Sequence, residues 1–394
     1  MAIKTAIISG SSWHHWLLAA VVVVSPLVFQ AQTEAQTGAP ADPAAIARYR
    51  AALEDYDRAH QLYAATAGAY WSSITEKRKS RNGKRARNEA LSVNDYVLDQ
   101  PPVYTGPPKP RNPLQPEAQE KRAYVPVVAD FLQAAQQEFK FSPRQPQNDG
   151  EFKRAYARIA AAAGLTREQA VRIYSFEATG NGNYDVEAGL EYNKHGRAIT
   201  TALGYNQLLA TNSVEVVAES GDQFVSALRV AAEQSPPAQR QALEAKIEIL
   251  RHMIAFTRTV PDVWGEHEIL GGTARGLAVH ALNLDVDVGP LLQTQKLIDS
   301  VVFARRKGFS GRMTAAELEM MNLTGDGNGF DIVSMPADWR TQVPTTNFFR
   351  PSGYADNPVA QRNNVVAKLI AATDARMDEE SKKPGAQELA AAFR

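Results

Sequence analysis

The sequence predicts a mainly α-helical protein: a helical core, an N-terminal helical extension and a proline-rich arm between them. Three observations predict it. Apolar residues recur at intervals of three and four through much of the chain beyond Tyr124, the period of a helix with one buried face. Helix start and stop signals punctuate that pattern, and strand signals are weak. With 44% hydrophobic residues in 394 positions, the chain has material for a large core.

Residues 1–35 read as an export signal. Lys4 precedes the apolar run Trp16–Phe29, which as a helix would reach only about 21 Å against a hydrocarbon core of roughly 30 Å. No stable membrane span is expected from it, and the small residues Thr33 and Ala35 place cleavage near Ala35. The expected location is outside the cytoplasm, periplasmic or secreted.

Residues 36–99 form the helical extension. Ile46, Tyr49, Leu53, Tyr56, His60 and Tyr63 make one apolar stripe. The segment Lys77–Arg87 then holds seven basic residues in eleven, with Asn82-Gly83 as a turn signal. It reads as a basic loop, either solvated or touching an anionic envelope polymer. Seven prolines between Gln100 and Pro116 exclude a regular helix, so residues 100–120 are expected to be a linker or an arm lying on the main body.

The core spans residues 121–378. Phe152–Ala163 reads as a helix closed by Gly164, and Thr166 with Gln169 forms a capping box for a second helix from Arg167 to Glu177. Gln241–Thr257, Leu291–Arg305 and Asn364–Met377 are further helices, and residues 379–394 read as a frayed tail.

Charge and composition exclude several function classes. Forty-three basic residues balance forty-three acidic ones, so the overall basic character of a dedicated nucleic-acid binder is missing and no nucleic-acid partner is expected. The absence of cysteine removes disulfides, thiol nucleophiles and cysteine metal sites. Asp326-Gly-Asn-Gly329 resembles part of a calcium loop, yet alignment puts Thr324 and Met335 where acidic ligands belong. A glycine-rich turn explains it better. His252 and His267 have no partners at metal-binding spacing, and neither a metal nor another cofactor is expected.

The informative chemistry begins at Glu177. Ala170, Ile173, Tyr174 and Glu177 stand at i, i+3, i+4 and i+7, so the carboxyl group shares the apolar stripe. Poor solvation disfavours its ionised form, the condition a general acid needs near neutral pH. Thr179-Gly-Asn-Gly-Asn183 follows at once and opens the backbone. The competing reading is a helix-terminal acid paired with Arg172 or Arg197.

Further on, Gly204-Tyr-Asn-Gln-Leu-Leu209 completes a pair of motifs. A glutamate ending a helix, followed by Gly-x-x-Gln-Leu, resembles the lytic transglycosylase and goose-type lysozyme family over about forty residues. The departures are Ala178 in place of serine, Ala210 and Asn212 in place of proline and threonine, and an extra stretch from Glu187 to Arg197. For a third motif, Asn283 is a poor substitute.

The resemblance implies a lysozyme-like, two-lobed helical core around a sugar groove, with peptidoglycan glycan strands as substrate. Glu177 would be catalytic, and Gly204, Tyr205, Asn206 and Gln207 would border the substrate. Gln207 would hydrogen-bond a substituent and Tyr205 would stack on a sugar ring; each is equally well read as a satisfied core group. A hydrolytic outcome needs a second carboxylate, for which Asp185 is nearest, ahead of Glu187 and Glu191. The alternatives are a non-catalytic glycan-binding or cell-envelope scaffold on the same core, and an electrostatic adaptor acting through Lys77–Arg87.

Overall fold

The computed structural model describes residues 42–114, 123–190, 196–355 and 357–393. The expected export signal, residues 1–35, lies outside the described residues, as does Glu191. Among the described residues the chain forms sixteen α-helices and no β-strand, with isolated bridges pairing Glu187 with Leu203 and Leu203 with Leu208.

The extension is α1 (Pro43–Ala86). The core opens with α2 (Val128–Phe139), α3 (Asp149–Ala162) and α4 (Arg167–Glu177), then α5 (Ala210–Glu233) and α6 (Pro237–Thr257). It continues through α7 (Trp264–Gly271), α8 (Ala274–His280), α9 (Gly289–Arg306), α10 (Ala315–Thr324) and α11 (Asp326–Val333). Three short helices, α12 (Ala337–Arg340), α13 (Pro351–Ala355) and α14 (Pro358–Arg362), precede α15 (Val366–Glu380) and α16 (Pro384–Ala392).

Three apolar clusters hold these helices. Phe131, Val217, Phe224, Leu250 and Met253 join α2, α5 and α6. Phe152, Tyr156, Ile173, Tyr174, Leu297 and Met377 join α3, α4, α9 and α15. A third cluster joins Tyr96 to Ile332, Phe348 and Leu369. Each large side chain removed from water in this way stabilises the fold by about 1.5–3 kcal/mol.

The basic segment is not a loop. α1 runs for 44 residues and ends only at Ala86, carrying Asn82 and Gly83 through helical backbone. The reason is tertiary. Arg78 donates to the carbonyls of Asn347 and Phe349 at 3.0 and 2.9 Å, Arg81 donates to Asp331 at 3.1 Å, and Lys84 pairs with Asp95 at 2.6 Å. Arg85 also pairs with Asp331, and Lys77 donates to the Tyr96 carbonyl at 2.9 Å. Positions 78, 81 and 85 recur at i, i+3 and i+7, one face of a helix. These contacts hold Arg78, Arg81, Lys84 and Arg85 against the rest of the chain, while Lys79 and Arg87 of the run are exposed.

The proline-rich arm packs on the helical extension. Tyr104 packs edge-on against Tyr56, His60 and Tyr63 of α1, with ring centroids 6.0, 5.7 and 5.4 Å apart. The apolar stripe of α1 is thus half-covered by the arm.

Residues 379–394 are not a frayed tail over their described part either. Pro384 occupies the first turn of α16, whose Ala386 and Leu389 are fully buried. Glu388 meets the buried Lys153 at 2.5 Å. Two small apolar anchors and one ion pair hold a helix too short to persist alone in water.

Candidate functional site

α4 begins with the expected capping box: Thr166 Oγ1 accepts from the Gln169 amide, and Gln169 Oε1 accepts from the Thr166 amide, at 3.1 and 3.0 Å. Ala170, Ile173 and Tyr174 are fully buried. Glu177, the last residue of this stripe, is half-buried at the helix end. Arg172 does not pair with it, because its guanidinium binds Asp374 and Asp378.

The groups next to Glu177 come from α10. Asn322 Nδ2 donates to Glu177 Oε1 at 2.9 Å, and the carboxyl group of Glu319, 0% exposed, lies beside that of Glu177. Burial pushes the Glu177 carboxyl above the ordinary range, opposed by hydrogen bonds from Glu319 and Asn322 and by the Arg376 charge. Burial and the Glu177 charge push Glu319 well above it. Arg376 lies over the Phe176 ring, 5.0 Å from its centroid. Two adjacent carboxyl groups in an apolar setting cannot both ionise cheaply, so the pair keeps a proton that an exposed acid would lose.

Neither Glu319 nor Asn322 belongs to the expected site. Glu319 carried one signal, an acid set among Leu318, Met320 and Met321 in a helical stretch. Asp185, the expected second carboxylate, sits half-buried beyond the turn; burial first, then Asp149, raises its pKa. The acid beside Glu177 is Glu319.

The turn after Glu177 is tightly held. Thr179 and Gly180 adopt φ of 53° and 70°, and Tyr174 donates its hydroxyl to the Gly182 carbonyl at 2.8 Å. From the C-terminal side, Lys383 donates to the Thr179 carbonyl at 3.1 Å, Ala386 to the Gly180 carbonyl at 2.8 Å and Gly385 to Asn181 Oδ1 at 2.9 Å. A Cβ on Gly180 would stand 2.2 Å from the Glu380 carbonyl oxygen. Gly180→Ala is therefore expected to cost about 1–3 kcal/mol through overpacking and left-handed strain, seen as a lower urea midpoint; an unchanged midpoint would contradict this close approach.

The Gly204–Gln207 block takes its core alternative. Tyr205 is fully buried with its ring edge-on to Phe152, Tyr156 and Tyr174, at 5.2, 5.5 and 4.7 Å, and its hydroxyl donates to Asp149 at 2.9 Å. No face remains for a sugar, which corrects the stacking role. Asn206 is also buried: its amide N–H donates to Gln293 Oε1 at 2.8 Å and its side chain to the Gln293 carbonyl at 3.0 Å. Gln207 spends its side-chain N–H groups on the carbonyls of Val186 and Gly204 at 3.0 and 2.9 Å. Gly204, at φ 80°, lies against Gln293 where a Cβ would approach to 2.5 Å. The block builds a turn and braces α4 through Tyr205 on Tyr174, three residues before Glu177.

Asn283 belongs to a buried polar network. His280 Nε2 donates to the Thr201 carbonyl at 2.8 Å, its Nδ1 accepts from Ser213 Oγ at 2.8 Å, and Asn283 donates to the same hydroxyl oxygen at 2.9 Å. Burial lowers the His280 pKa to about 4. The neutral ring therefore contributes stability that is full above about pH 6.5 and lost as pH falls toward the folded value, ~3 kcal/mol in all. The urea midpoint of the native protein should fall over that window more steeply than that of His280→Gln; parallel curves would refute the assignment.

The calcium-like loop is likewise spent internally. Ser300 donates to Asp326 at 2.6 Å, Asn328 donates to the Phe348 carbonyl at 3.1 Å, and Asp331 pairs with Arg81 and Arg85.

A cavity of about 370 Å³ lies between α5 and α9, lined by Glu219, Gln223, Asp299, Phe303 and Arg306 with Asp326. Burial and the carboxylates of Asp262, Glu215 and Asp299 raise Glu219 to about 7. Glu177 is not part of this lining, nor of those of three further cavities. Comparison of the chain with family models, with curated proteins and with solved structures gives no match.

Proposed function

We propose that this protein is an exported lytic transglycosylase that cleaves the MurNAc–GlcNAc bond of peptidoglycan strands, on a helical core of lysozyme-like, two-lobed design. One observation carries the reading: a half-buried glutamate ends an apolar helix, has its carboxyl raised above the ordinary range by burial, and has one oxygen fixed by Asn322.

The chemistry needs a single acid that becomes a base. The protonated Glu177 carboxyl gives its proton to the glycosidic oxygen as the bond to the anomeric carbon breaks. The substrate acetamido group stabilises the positive charge that develops there. The Glu177 carboxylate then takes the proton of the muramyl primary hydroxyl, whose oxygen closes on the anomeric carbon to give a 1,6-anhydro ring. The proton returns to Glu177 and no water is consumed.

Incubation with purified peptidoglycan sacculi tests the proposal. Release of anhydro-muropeptides supports it, whereas products with reducing ends indicate hydrolysis. A second reading, the glycan-binding or envelope scaffold, is favoured by α16 lying over the turn that follows Glu177. It predicts sacculus binding without cleavage.

A further inference from the structure

We propose that Glu319 is a positioning residue that stays protonated and donates a hydrogen bond to Glu177, acting with Asn322 as one of two neutral donors from α10. The inference deepens the Glu177 reading and rests on it for its chemical purpose. Three geometric facts carry it. Glu319 is 0% exposed, and neither of its oxygens receives a hydrogen bond from an N–H or hydroxyl donor. Its neighbour is another carboxyl group, so a hydrogen bond between them requires a proton on one side. Glu177 is half-buried and has Asn322 on one oxygen, while Glu319 is fully buried.

The proton therefore sits on Glu319 when the pair holds one. Of the two, Glu177 has the donor placed by geometry, Asn322 Nδ2 at 2.9 Å; Asn322 acts on Glu319 as well, against burial and the Glu177 charge, which raise it. Among the described residues, the charged or titratable groups acting on the pair from neighbouring helices are Glu177 itself on α4 and Arg376 on α15. Arg376 acts on Glu177 and reinforces the same order.

The consequence is specific to a group that must work as acid and then as base. When Glu177 delivers its proton, the carboxylate left behind meets two donors already in place, and no second negative charge appears beside it. A buried carboxylic acid held neutral so that it can donate is a known electrostatic device. Glu319 touches no reacting atom, and its effect passes through the orientation and charge of Glu177.

The test is a pH titration of the full chain labelled at the side-chain carboxyl carbon of glutamate, followed by NMR, with Glu319→Gln and Glu319→Leu alongside the native protein. One glutamate should titrate well above the ordinary carboxyl range in the native protein and vanish from the spectrum in Glu319→Gln. That substitution keeps a neutral donor, so the Glu177 midpoint should move by less than about half a pH unit; Glu319→Leu removes the donor and should raise it by about one unit or more. A fall of about one unit or more in Glu319→Gln would mean that Glu319 was charged and would overturn the proposal. So would the absence of a glutamate titrating that high in the native protein, a readout that needs no variant to fold. None of these readouts depends on turnover, so failure to cut sacculi would remove the proposed function without touching this result.

Discussion

Glu177→Gln is expected to reduce release of anhydro-muropeptides from sacculi by about 10²–10⁴-fold, the range that a positioned general acid contributes, while the fold survives. The substitution is nearly isosteric. Its amide oxygen can still accept from Asn322, so what disappears is the transferable proton. Stability should move in the opposite sense to activity. The carboxyl pKa values of the pair are raised in the folded protein by burial, so their contribution is fully present below the unfolded carboxyl range and is lost as pH rises through the folded values. Removing one member relieves that loss, and the urea midpoint at pH 8 should equal or exceed the native one. Retained cleavage in Glu177→Gln would end the catalytic assignment. Parallel loss of activity and stability would show a folding defect instead.

Local periodicity was legible wherever a helix buried one face of its own. The i, i+3, i+4, i+7 spacing of Ala170, Ile173, Tyr174 and Glu177 carried both the helix and the burial of the first three residues. The capping box at Thr166 carried its start. What resisted reading was set by partners far away in sequence. Glu319 faces Glu177 from a different helix, and two acids meeting across a core leave no spacing rule to find. Tyr205 stands in a motif whose resemblance suggests a groove, yet the aromatic rings of α3 and α4 enclose it. α16 offered only nine residues, too few for periodicity to outweigh its terminal position. The basic run misled for another reason: its charge and its Asn82-Gly83 pair suggested a solvated turn, whereas the placement of Arg78, Arg81 and Arg85 on one helical face encoded their contact with the body.

That contact makes Asp331→Ala the largest expected loss of stability, about 3–5 kcal/mol, the cost of removing one partner from a buried ion pair. Arg81 and Asp331 are 0% and 2% exposed at their side chains and meet at 3.1 Å. Arg85 supplies a second cation to the same carboxylate. Without Asp331, Arg81 would keep the carbonyls of Asp95 and Asn347 and the Tyr96 ring, 4.3 Å from its guanidinium carbon. These neutral groups take its two terminal nitrogens but leave its Nε–H without an acceptor and its charge uncompensated in a desolvated position. The end of α1 should then detach, with faster amide hydrogen exchange over residues 77–86 than over residues 45–65. The double change Arg81→Met with Asp331→Leu should be less damaging than Asp331→Ala alone, because it leaves no buried cation behind. Detachment has a second readout, since it frees the basic face: binding to an anionic polymer, weak in the native protein, should appear in Asp331→Ala and fall steeply with added salt. Strong salt-sensitive binding by the native protein, with Asp331→Ala no less stable, would mean that the basic helix end is not held by this carboxylate in solution.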